Sequence, residues 1–256
     1  MERTSAINIK SAKEQTNFAE VLFVFIALFF SSMVGAKIFG VSLNKAALLP
    51  LELFLFYKVV SSNKVIEIKS STRFLLLFYV LQILNSTVAL IFNSGYNIKY
   101  DNYSSTLMNN VIQNIFIYIP IVILLSNYPD KERIFKTALK CLVAVCRIHA
   151  FWALAQFILW QVEFDLNGFV FTDILNGALG ENYQSNLANI GGSIVLRVTG
   201  LNFDPAYLST LMIIGSCFDR RKLFNLLYLL CCTLAMSRVG MVVLVLLLVI
   251  RYAMAK

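Results

Sequence analysis

The feature that most constrains this chain is a series of long apolar runs separated by short polar segments. A transmembrane helix needs about 20 consecutive apolar residues, and runs of that order recur between Phe18 and Ile250. Hydrophobic residues make up 59% of the 256 residues and charged residues only 14%, whereas soluble domains are about 45–50% apolar and about 25% charged. This composition excludes disorder, collagen, a coiled coil and an ordinary water-soluble enzyme. It predicts an all-α fold, namely a polytopic bundle of membrane helices.

The runs and the polar breaks between them predict eight spans around one long loop. A polar segment, 1–17, precedes the first run, which is long enough to span and is interpreted as a retained anchor. The last apolar stretch, 223–250, would be about 42 Å long as one helix, well over the roughly 30 Å bilayer core. We therefore expect a hairpin that turns at Ser237–Gly240 and carries Arg238 away from the bilayer centre. The predicted segments are 18–160 with spans at about 18–35, 41–60, 74–93, 107–126 and 137–160, a loop at 161–204, and 205–256 with spans 6–8 and a short tail.

The distribution of lysine and arginine predicts the orientation of the spans. With the N-terminus in the cytoplasm, the inner segments hold 16 of the 22 Lys and Arg residues, the outer segments hold 5, and Arg147 lies within span 5. This bias follows the positive-inside rule and predicts that both termini are cytoplasmic. The loop 161–204 and the Ser237–Gly240 turn then lie outside. The same rule accounts for the formal net charge of +8 without nucleic acid as a partner.

Neither the cysteines nor the histidine predicts a metal or another cofactor. His149 is the only histidine and is more typical of a packed polar residue than of a catalyst. The cysteines lie in apolar stretches without the paired spacing of a zinc site, and we interpret them as small buried apolar residues. They are Cys141, Cys146, Cys217, Cys231 and Cys232.

The end of the long loop carries the first candidate for substrate binding, Arg197. Asp204 is placed to cap a helix and Pro205 suits the first helical position, so we predict a helix from Pro205 to Phe218. Its 14 residues would be about 21 Å long, which lets the preceding loop dip below the membrane surface against protein or a water-filled cavity. Arg197 there suits a phosphate or a carboxylate. The alternative is an interfacial arginine that reaches lipid headgroups.

Two further arginines are candidates because charged groups within or beside spans are rare. Arg147 lies near the middle of predicted span 5, and Glu52 in span 2 is a possible counter-charge. A structural Arg147–Glu52 pair and a substrate role are both open. Arg238 lies at the outer turn, so that Arg147, Arg197 and Arg238 could line one outward-facing cavity. Such a cavity suits an anionic substrate and could stabilise negative charge on a departing phosphate.

The outer loops offer weaker signals. Several outward acids could act as a base, but no spacing favours one of them. They are Glu163, Asp165, Asp173, Glu181 and Asp204. The tyrosines and asparagines of 94–106 and 182–189 suit contacts with sugars, although loops are commonly rich in both residue types.

Two segments resemble elements of one known family. The run Arg197-Val-Thr-Gly200-Leu-Asn-Phe-Asp204-Pro205 is similar to the Arg-x-x-Gly-x-x-x-(Asp/Asn)-Pro element of the O-antigen polymerase (Wzy-type) and O-antigen ligase family. The run Leu234-Ala-Met-Ser237-Arg238-Val-Gly240 is similar to that family's Leu-(Ser/Thr)-x-Ser-Arg-x-(Gly/Ala) element. The order and separation of the two elements match as well. These matches cover about 160–250, and the earlier spans agree in hydropathy alone.

The resemblance implies a multi-pass protein of the bacterial inner membrane that acts in lipopolysaccharide or other polysaccharide biosynthesis. Such proteins are glycosyltransferase-like: on the periplasmic face they take an oligosaccharide from undecaprenyl pyrophosphate, with no nucleotide sugar and no metal. It further implies pyrophosphate binding by Arg197 and Arg238 as the catalytic residues. Gly200, Asp204, Pro205 and Ser237 would belong to the substrate site, and a chain-length regulator would be a partner besides the bilayer.

This chain also departs from the family pattern. Family members typically continue through a larger periplasmic loop and further spans, whereas this sequence stops at Lys256. Ligases carry a functional histidine in that later loop, to which no residue here corresponds, and this argues against a ligase. Ala206 follows Pro205 where the family commonly has asparagine. The expectation is therefore a repeat-unit polymerase, with a truncated or inactive member of the family as one alternative. The other is a transporter or flippase of a lipid-linked or anionic solute.

Overall fold

The chain is described by a computed structural model over residues 18–33, 37–38, 41–62, 65–93, 103–170, 187–190, 192–202 and 204–254. Within these residues the protein is mostly helical, as the all-α prediction requires. The predicted N-terminal segment 1–17, Asp173, Glu181 and most of the two tyrosine- and asparagine-rich stretches lie outside the described residues.

The helices follow the predicted runs in order. They are α1 Phe18–Ser31, α2 Leu43–Ala46, α3 Leu48–Val60, α4 Ser70–Asn93, α5 Tyr103–Gln113, α6 Ile119–Ser126, α7 Lys131–Trp160, α8 Pro205–Phe218, α9 Lys222–Leu234 and α10 Arg238–Met254. A π-helical turn, Asn114–Tyr118, joins α5 to α6. Two small antiparallel hairpins accompany the helices: β1 Lys37–Ile38 with β2 Val41–Ser42, and β3 Leu187–Ile190 with β4 Ser193–Leu196.

Among the described residues, three helical stretches are long and apolar enough to cross a membrane by length and composition: Thr72–Phe92, Leu107–Ser126 and Lys131–Trp160. Four shorter apolar helices are Phe18–Ser31, Pro205–Phe218, Lys222–Leu234 and Arg238–Ile250. Large apolar side chains also point outward, for example Phe74 and Phe92 of α4, which are 78% and 75% exposed. Length, composition and this outward apolar surface together indicate a membrane protein.

Span 2 is the one run for which the prediction of a continuous helix is wrong. Residues 41–60 are divided into β2, the single turn α2 and the helix α3. Pro50 explains the division, because it has no N–H to bond the carbonyl of Ala46 and its ring would clash there. In the first turn of α3, where no such N–H is needed, the same proline is tolerated.

Other predicted boundaries shift for local reasons. Helix α7 begins six residues before predicted span 5, because the Asp130 carboxylate accepts the Arg133 N–H at 3.1 Å and caps the helix. In predicted span 4, Pro120 follows the π-helical turn, where the Ile119 N–H bonds the Asn114 carbonyl five residues back. This wider turn accommodates the proline ring.

The stretch 223–250 is two helices, as expected, but the break comes slightly earlier than predicted. Helix α9 ends at Leu234 and α10 begins at Arg238. Met236 takes a left-handed φ of 52° in the break. Ser237 precedes the first residue of α10, and its Oγ accepts the Gly240 N–H at 3.2 Å. This is an N-cap bond to the third helical residue.

The chain divides into two compact units, Leu48–Phe135 and the remainder, Met1–Ala47 with Lys136–Lys256. In the first of these, α4 packs on α5 and α6, and α3 packs on α6. In the second, α8 packs on both α9 and α10. The core of that unit joins these three helices to α7 and β4 through residues such as Ala150, Leu208, Met212, Tyr228 and Leu244.

Gly240 sets the distance between α8 and α10. A Cβ atom at this position would lie 2.6 Å from the Ser209 Cβ and 2.9 Å from the Ser237 Oγ. Real side chains do not approach so closely, so the crossing depends on the missing Cβ. Helix pairs in membranes commonly use small residues in this way.

We expect Gly240→Ala to destabilise the protein by about 1–3 kcal/mol through overpacking. Thermal unfolding of the purified protein in detergent should show a transition lower by several degrees. Val239→Ala is the matched control, because Val239 is 74% exposed and should leave the transition unchanged. Adding Ser209→Gly to Gly240→Ala should restore part of the lost stability. An equal loss of stability in Gly240→Ala and Val239→Ala would contradict the close-packing account.

Candidate functional site

The two arginine-bearing elements meet at one end of α8. Val198 N–H donates to the carbonyl of Leu234, the last residue of α9, at 3.3 Å. The adjacent Arg197 donates from Nε to the Ala235 carbonyl at 3.3 Å. Arg238 follows three residues later as the first residue of α10. Because Gly240 packs on Ser209, one turn into α8, this junction lies at the Pro205 end of α8.

Two helix N-termini also begin at the Pro205 end. Asp204 is the N-cap of α8 and accepts the Ala206 N–H at 2.8 Å, and Pro205 occupies the first helical position. Both features are as predicted, and α8 has the predicted bounds. Helix α10 begins beside it behind the Ser237 cap. Helix N-termini carry partial positive charge. The Asp204 carboxylate offsets this charge at α8, whereas the neutral Ser237 caps α10, so the N-terminus of α10 is the one that attracts anions.

The arginines add full positive charge to this end. Arg197 is partly buried and Arg238 is exposed, and neither forms an ion pair with another described residue. Arg238 lies in the first turn of α10, where a cation is repelled by the helix dipole at a cost of some tenths of a kcal/mol. A bound anion would relieve that repulsion and could accept hydrogen bonds from the Nη groups of Arg197.

Gly200 of the predicted element is held in a conformation that favours glycine. Its φ is +63°, and a Cβ atom there would lie 3.0 Å from the His149 Nδ1 and 3.0 Å from the Leu208 Cδ1. The next residue, Leu201, donates its N–H to the His149 Nδ1 at 3.3 Å. Gly200 therefore lets the chain turn closely over α7 without a side chain in the way.

His149 is a packed polar residue, as interpreted from the sequence. It is fully buried. Because its Nδ1 accepts the Leu201 N–H, the proton lies on Nε2, which is 2.8 Å from the Ser32 Oγ. Ser32 in turn donates to the Phe29 carbonyl. Every polar atom of the imidazole is thereby satisfied, and His149 links α1, α7 and the segment before α8.

Two carboxamides that the sequence analysis did not identify fix the same segment. The Gln156 Oε1 accepts the N–H groups of Thr199 and Gly200 at 3.2 and 2.8 Å. The Asn167 Nδ2 donates to the Thr199 Oγ1 and the Gly200 carbonyl, each at 3.0 Å. The Asn167 Oδ1 accepts the Trp152 Nε1–H at 2.7 Å. Buried irregular backbone is thus provided with side-chain partners.

A signal for these contacts was present in the sequence. His149, Trp152 and Gln156 are spaced i, i+3 and i+7 and therefore share one face of α7. Polar groups repeated on one face of an apolar helix indicate a buried polar partner. Asn167 has no comparable signal. It lies in the predicted loop, where no periodic pattern indicates which residues it contacts.

Arg147 is not brought together with Arg197 and Arg238. Its Nε and Nη2 donate to the Asp219 carboxylate at 2.8 and 3.0 Å, and its guanidinium lies 4.1 Å from the centre of the Phe224 ring. Asp219 follows the last residue of α8, about 20 Å along the helix from Pro205. The expectation of one cavity lined by three arginines is therefore wrong. The counter-charge of Arg147 is Asp219 rather than Glu52.

Asp219 was not identified from the sequence, because it begins the charged run 219–222 that reads as an ordinary loop. It is 2% exposed and also accepts the Tyr228 hydroxyl at 3.1 Å and the Arg221 N–H at 3.1 Å. Burial raises the pKa of this carboxyl, but the hydrogen bonds from Arg147 and Arg221 outweigh burial and hold the pKa below its usual value. The pair is a closed structural unit rather than an open site.

The other predicted groups fall as follows. Four of the five cysteines are buried as interpreted, but Cys217 is exposed, and all five are free. Within the described residues, no group of three or more His, Cys, Asp or Glu is placed to hold a metal.

The predicted acids of the outer loops lie in turns and caps. Glu163 takes a left-handed φ of 61° just after α7, and Asp165 accepts the Gly168 N–H. Asp204 is the outward acid placed at the Pro205 end, as the cap of α8.

Breaking the Arg147–Asp219 pair should be costly and asymmetric. Arg147→Met removes the guanidinium from a buried carboxylate and is expected to cost about 3 kcal/mol. Asp219→Asn should cost less, because the Arg147 side chain is 26% exposed and can reach water. Thermal unfolding of both variants and of the double variant measures the coupling. Additive losses would contradict a direct pair.

The same pair predicts a pH dependence. Because the pKa of Asp219 is lowered by folding, the stability it contributes is present above the unfolded pKa, near 3.8, and is lost as the pH falls through the folded pKa. The unfolding temperature should therefore decrease between about pH 5 and about pH 3 in the wild type. Asp219→Asn should flatten this decrease, and identical profiles would show that other carboxylates determine it.

Three comparisons with known proteins add no family to this geometry. No protein-family model, no curated protein and no solved structure matches the chain. The chemistry of the site therefore follows from its own residues, which are two arginines and two helix N-termini at one end of α8.

Proposed function

We propose that this protein is a bacterial inner-membrane polymerase of surface polysaccharide, such as O-antigen or capsule, acting on repeat units linked to undecaprenyl pyrophosphate. The observation that carries the proposal is the hydrogen bond from Arg197 to the Ala235 carbonyl. It joins two sequence elements, each similar to an element of the O-antigen polymerase family, at one end of α8. Two elements of one anion site have to lie close together in the fold. In the sequence, α8 and α9 separate these two elements.

The proposed topology has eight spans with both termini in the cytoplasm. Helices α1 and α3 to α10, with α5 and α6 joined by the π-helical turn, supply these spans. The charge bias of 16 to 5 supports this orientation. The Pro205 end of α8 then faces the periplasm, and the Asp219 end faces the cytoplasm. The short helix α8 fits a site reached from the periplasm, because the segment before it is buried irregular backbone rather than membrane helix.

The proposed chemistry is transfer of the oligosaccharide from its pyrophosphate to a hydroxyl of a second lipid-linked unit. A glycosidic bond forms between the anomeric carbon and the acceptor oxygen as the bond from the sugar to the pyrophosphate breaks. The pyrophosphate leaves with additional negative charge, and the proton of the acceptor hydroxyl passes to water. Arg197 and Arg238, with the N-terminus of α10, stabilise that charge. Gly200, Asp204, Pro205 and Ser237 shape the site through backbone turns and helix caps.

Arg197→Ala should abolish this activity. Removing one preorganised donor to a developing anion costs about 100-fold or more in rate. In a strain that depends on this gene, long-chain polysaccharide should disappear from gels while single repeat units accumulate on the lipid carrier. Arg197→Lys should restore little activity, because a lysine cannot form bidentate bonds to phosphate.

Arg220→Ala is the matched control, because Arg220 is an exposed arginine at the other end of α8. It should leave the polysaccharide unchanged at equal protein level in membranes. Unchanged long chains in Arg197→Ala would contradict the catalytic role. Loss of all outward-facing repeat units in a deletion strain would indicate a flippase instead.

A further inference from the structure

A polar cavity lies between α4 and the helix formed by α5 and the π-helical turn. Its volume is about 390 Å³, within the size range of small-molecule sites. Five carboxamides and a phenol line it: Gln82, Asn85, Asn110, Gln113, Asn114 and Tyr118. Ser86 adds a hydroxyl, and none of the described residues contributes a charged side chain to the lining.

These polar groups lie on two stretches that are long and apolar enough to cross a membrane, Thr72–Phe92 and Leu107–Ser126. Carboxamides away from water are costly unless each donor and acceptor has a partner. Asn114 is 5% exposed and Ser86 is 8% exposed. Within the part of the chain that the structure describes, none of the lining side chains hydrogen-bonds to another group. The donors and acceptors of these side chains are therefore available to a partner from outside the described residues.

The π-helical turn places two of the lining residues. It begins at Asn114 and ends at Tyr118, and its wider spacing turns both toward α4. The Tyr118 ring also stacks on the Tyr79 ring of α4, with centroids 5.9 Å apart and planes at 11°. This stack holds the phenol at the cavity wall. Single π-helical turns within helices are frequent at functional sites.

We propose that this cavity binds a neutral, polyhydroxylated ligand, that is, an uncharged sugar residue, free or as part of a lipid-linked glycan. Each carboxamide offers two donors and one acceptor oxygen, and each hydroxyl donates and accepts. Sugar hydroxyls also donate and accept, so the two sets are complementary. Since the described part of the lining carries no charged side chain, it favours an uncharged ligand over one with phosphate, carboxylate or amine groups.

The proposal is independent of the polymerase proposal, because it uses no residue of the Arg197 site and lies wholly within Leu48–Phe135. A second copy of the chain is the competing occupant, since carboxamides also hydrogen-bond across helices in membranes. The concave shape of the site favours a sugar over a second copy of the chain. Two helices pack along ridges and grooves, whereas these side chains converge on one cavity from two helices and the π-helical turn.

The test is saturation-transfer NMR on the full chain in nanodiscs, with N-acetylglucosamine, glucose and mannose as neutral probes and glucuronate as the charged comparison. Asn110→Leu and Gln113→Leu remove two lining carboxamides one helical turn apart. Asn109→Leu is the matched control, because Asn109 is exposed on the same helix and does not line the cavity. Thermal unfolding verifies that all three variants fold.

We expect at least one neutral sugar to bind the wild type and Asn109→Leu equally, and each lining variant to bind about fivefold more weakly. No neutral sugar bound by the wild type would overturn the proposal, as would glucuronate bound equally well. Undiminished binding by the two lining variants would also overturn it. A wild-type dimer that Asn110→Leu dissociates, with no sugar bound, would assign the cavity to a second copy instead.

Discussion

The site at the Pro205 end of α8 depends on how a non-helical segment is held against a helix. Residues 197–202 have no ladder or helix of their own, yet Val198 to Asn202 are nearly inaccessible to solvent. Their backbone groups are satisfied by Gln156, Asn167 and His149. Without those side chains, buried N–H and carbonyl groups would each cost about 1–3 kcal/mol, and Arg197 would have no fixed position. The polar face of α7 is thus the platform of the candidate site.

The two glycines of the matched elements act through geometry rather than chemistry. Gly200 turns the segment over His149 with a left-handed φ, and Gly240 lets α10 approach Ser209 on α8. The caps at Asp204 and Ser237 then determine where the two helices begin. An element such as Ser-Arg-x-Gly therefore combines a cap, a charged group and a close contact within one helical turn. Because these three roles fall within one helical turn, the residues that serve them are close together in the sequence.

The parts predicted from the sequence are those controlled by local rules. The start of α8 at Pro205 follows from a cap and a proline, and the break before Arg238 follows from the length of 223–250 and the cost of a charge in the bilayer. The Arg147–Asp219 pair could not be predicted, because Asp219 lies 72 residues away from Arg147 and resembles a loop residue. Hydropathy does not predict the break before Pro50, because it averages over a proline. Nor does it predict the cavity beside Asn114, because isolated carboxamides do not interrupt an apolar stretch.

The two ends of α8 differ in how their charges are satisfied, and this difference is the reason for proposing the anion site at the Pro205 end. At the Asp219 end, Arg147 is neutralised by a carboxylate and stacked on Phe224, so a phosphate would have to displace a buried partner. At the Pro205 end, Arg197 bonds a neutral carbonyl and forms no ion pair among the described residues, and Arg238 stands at a helix N-terminus that repels it. The Asp204 carboxylate offsets the dipole of α8, but the dipole of α10, whose cap is the neutral Ser237, adds to these charges. Since an anion gains most where positive charge is least compensated, the Pro205 end is the anion site that we propose, even though Arg147 lies deeper in an apolar helix.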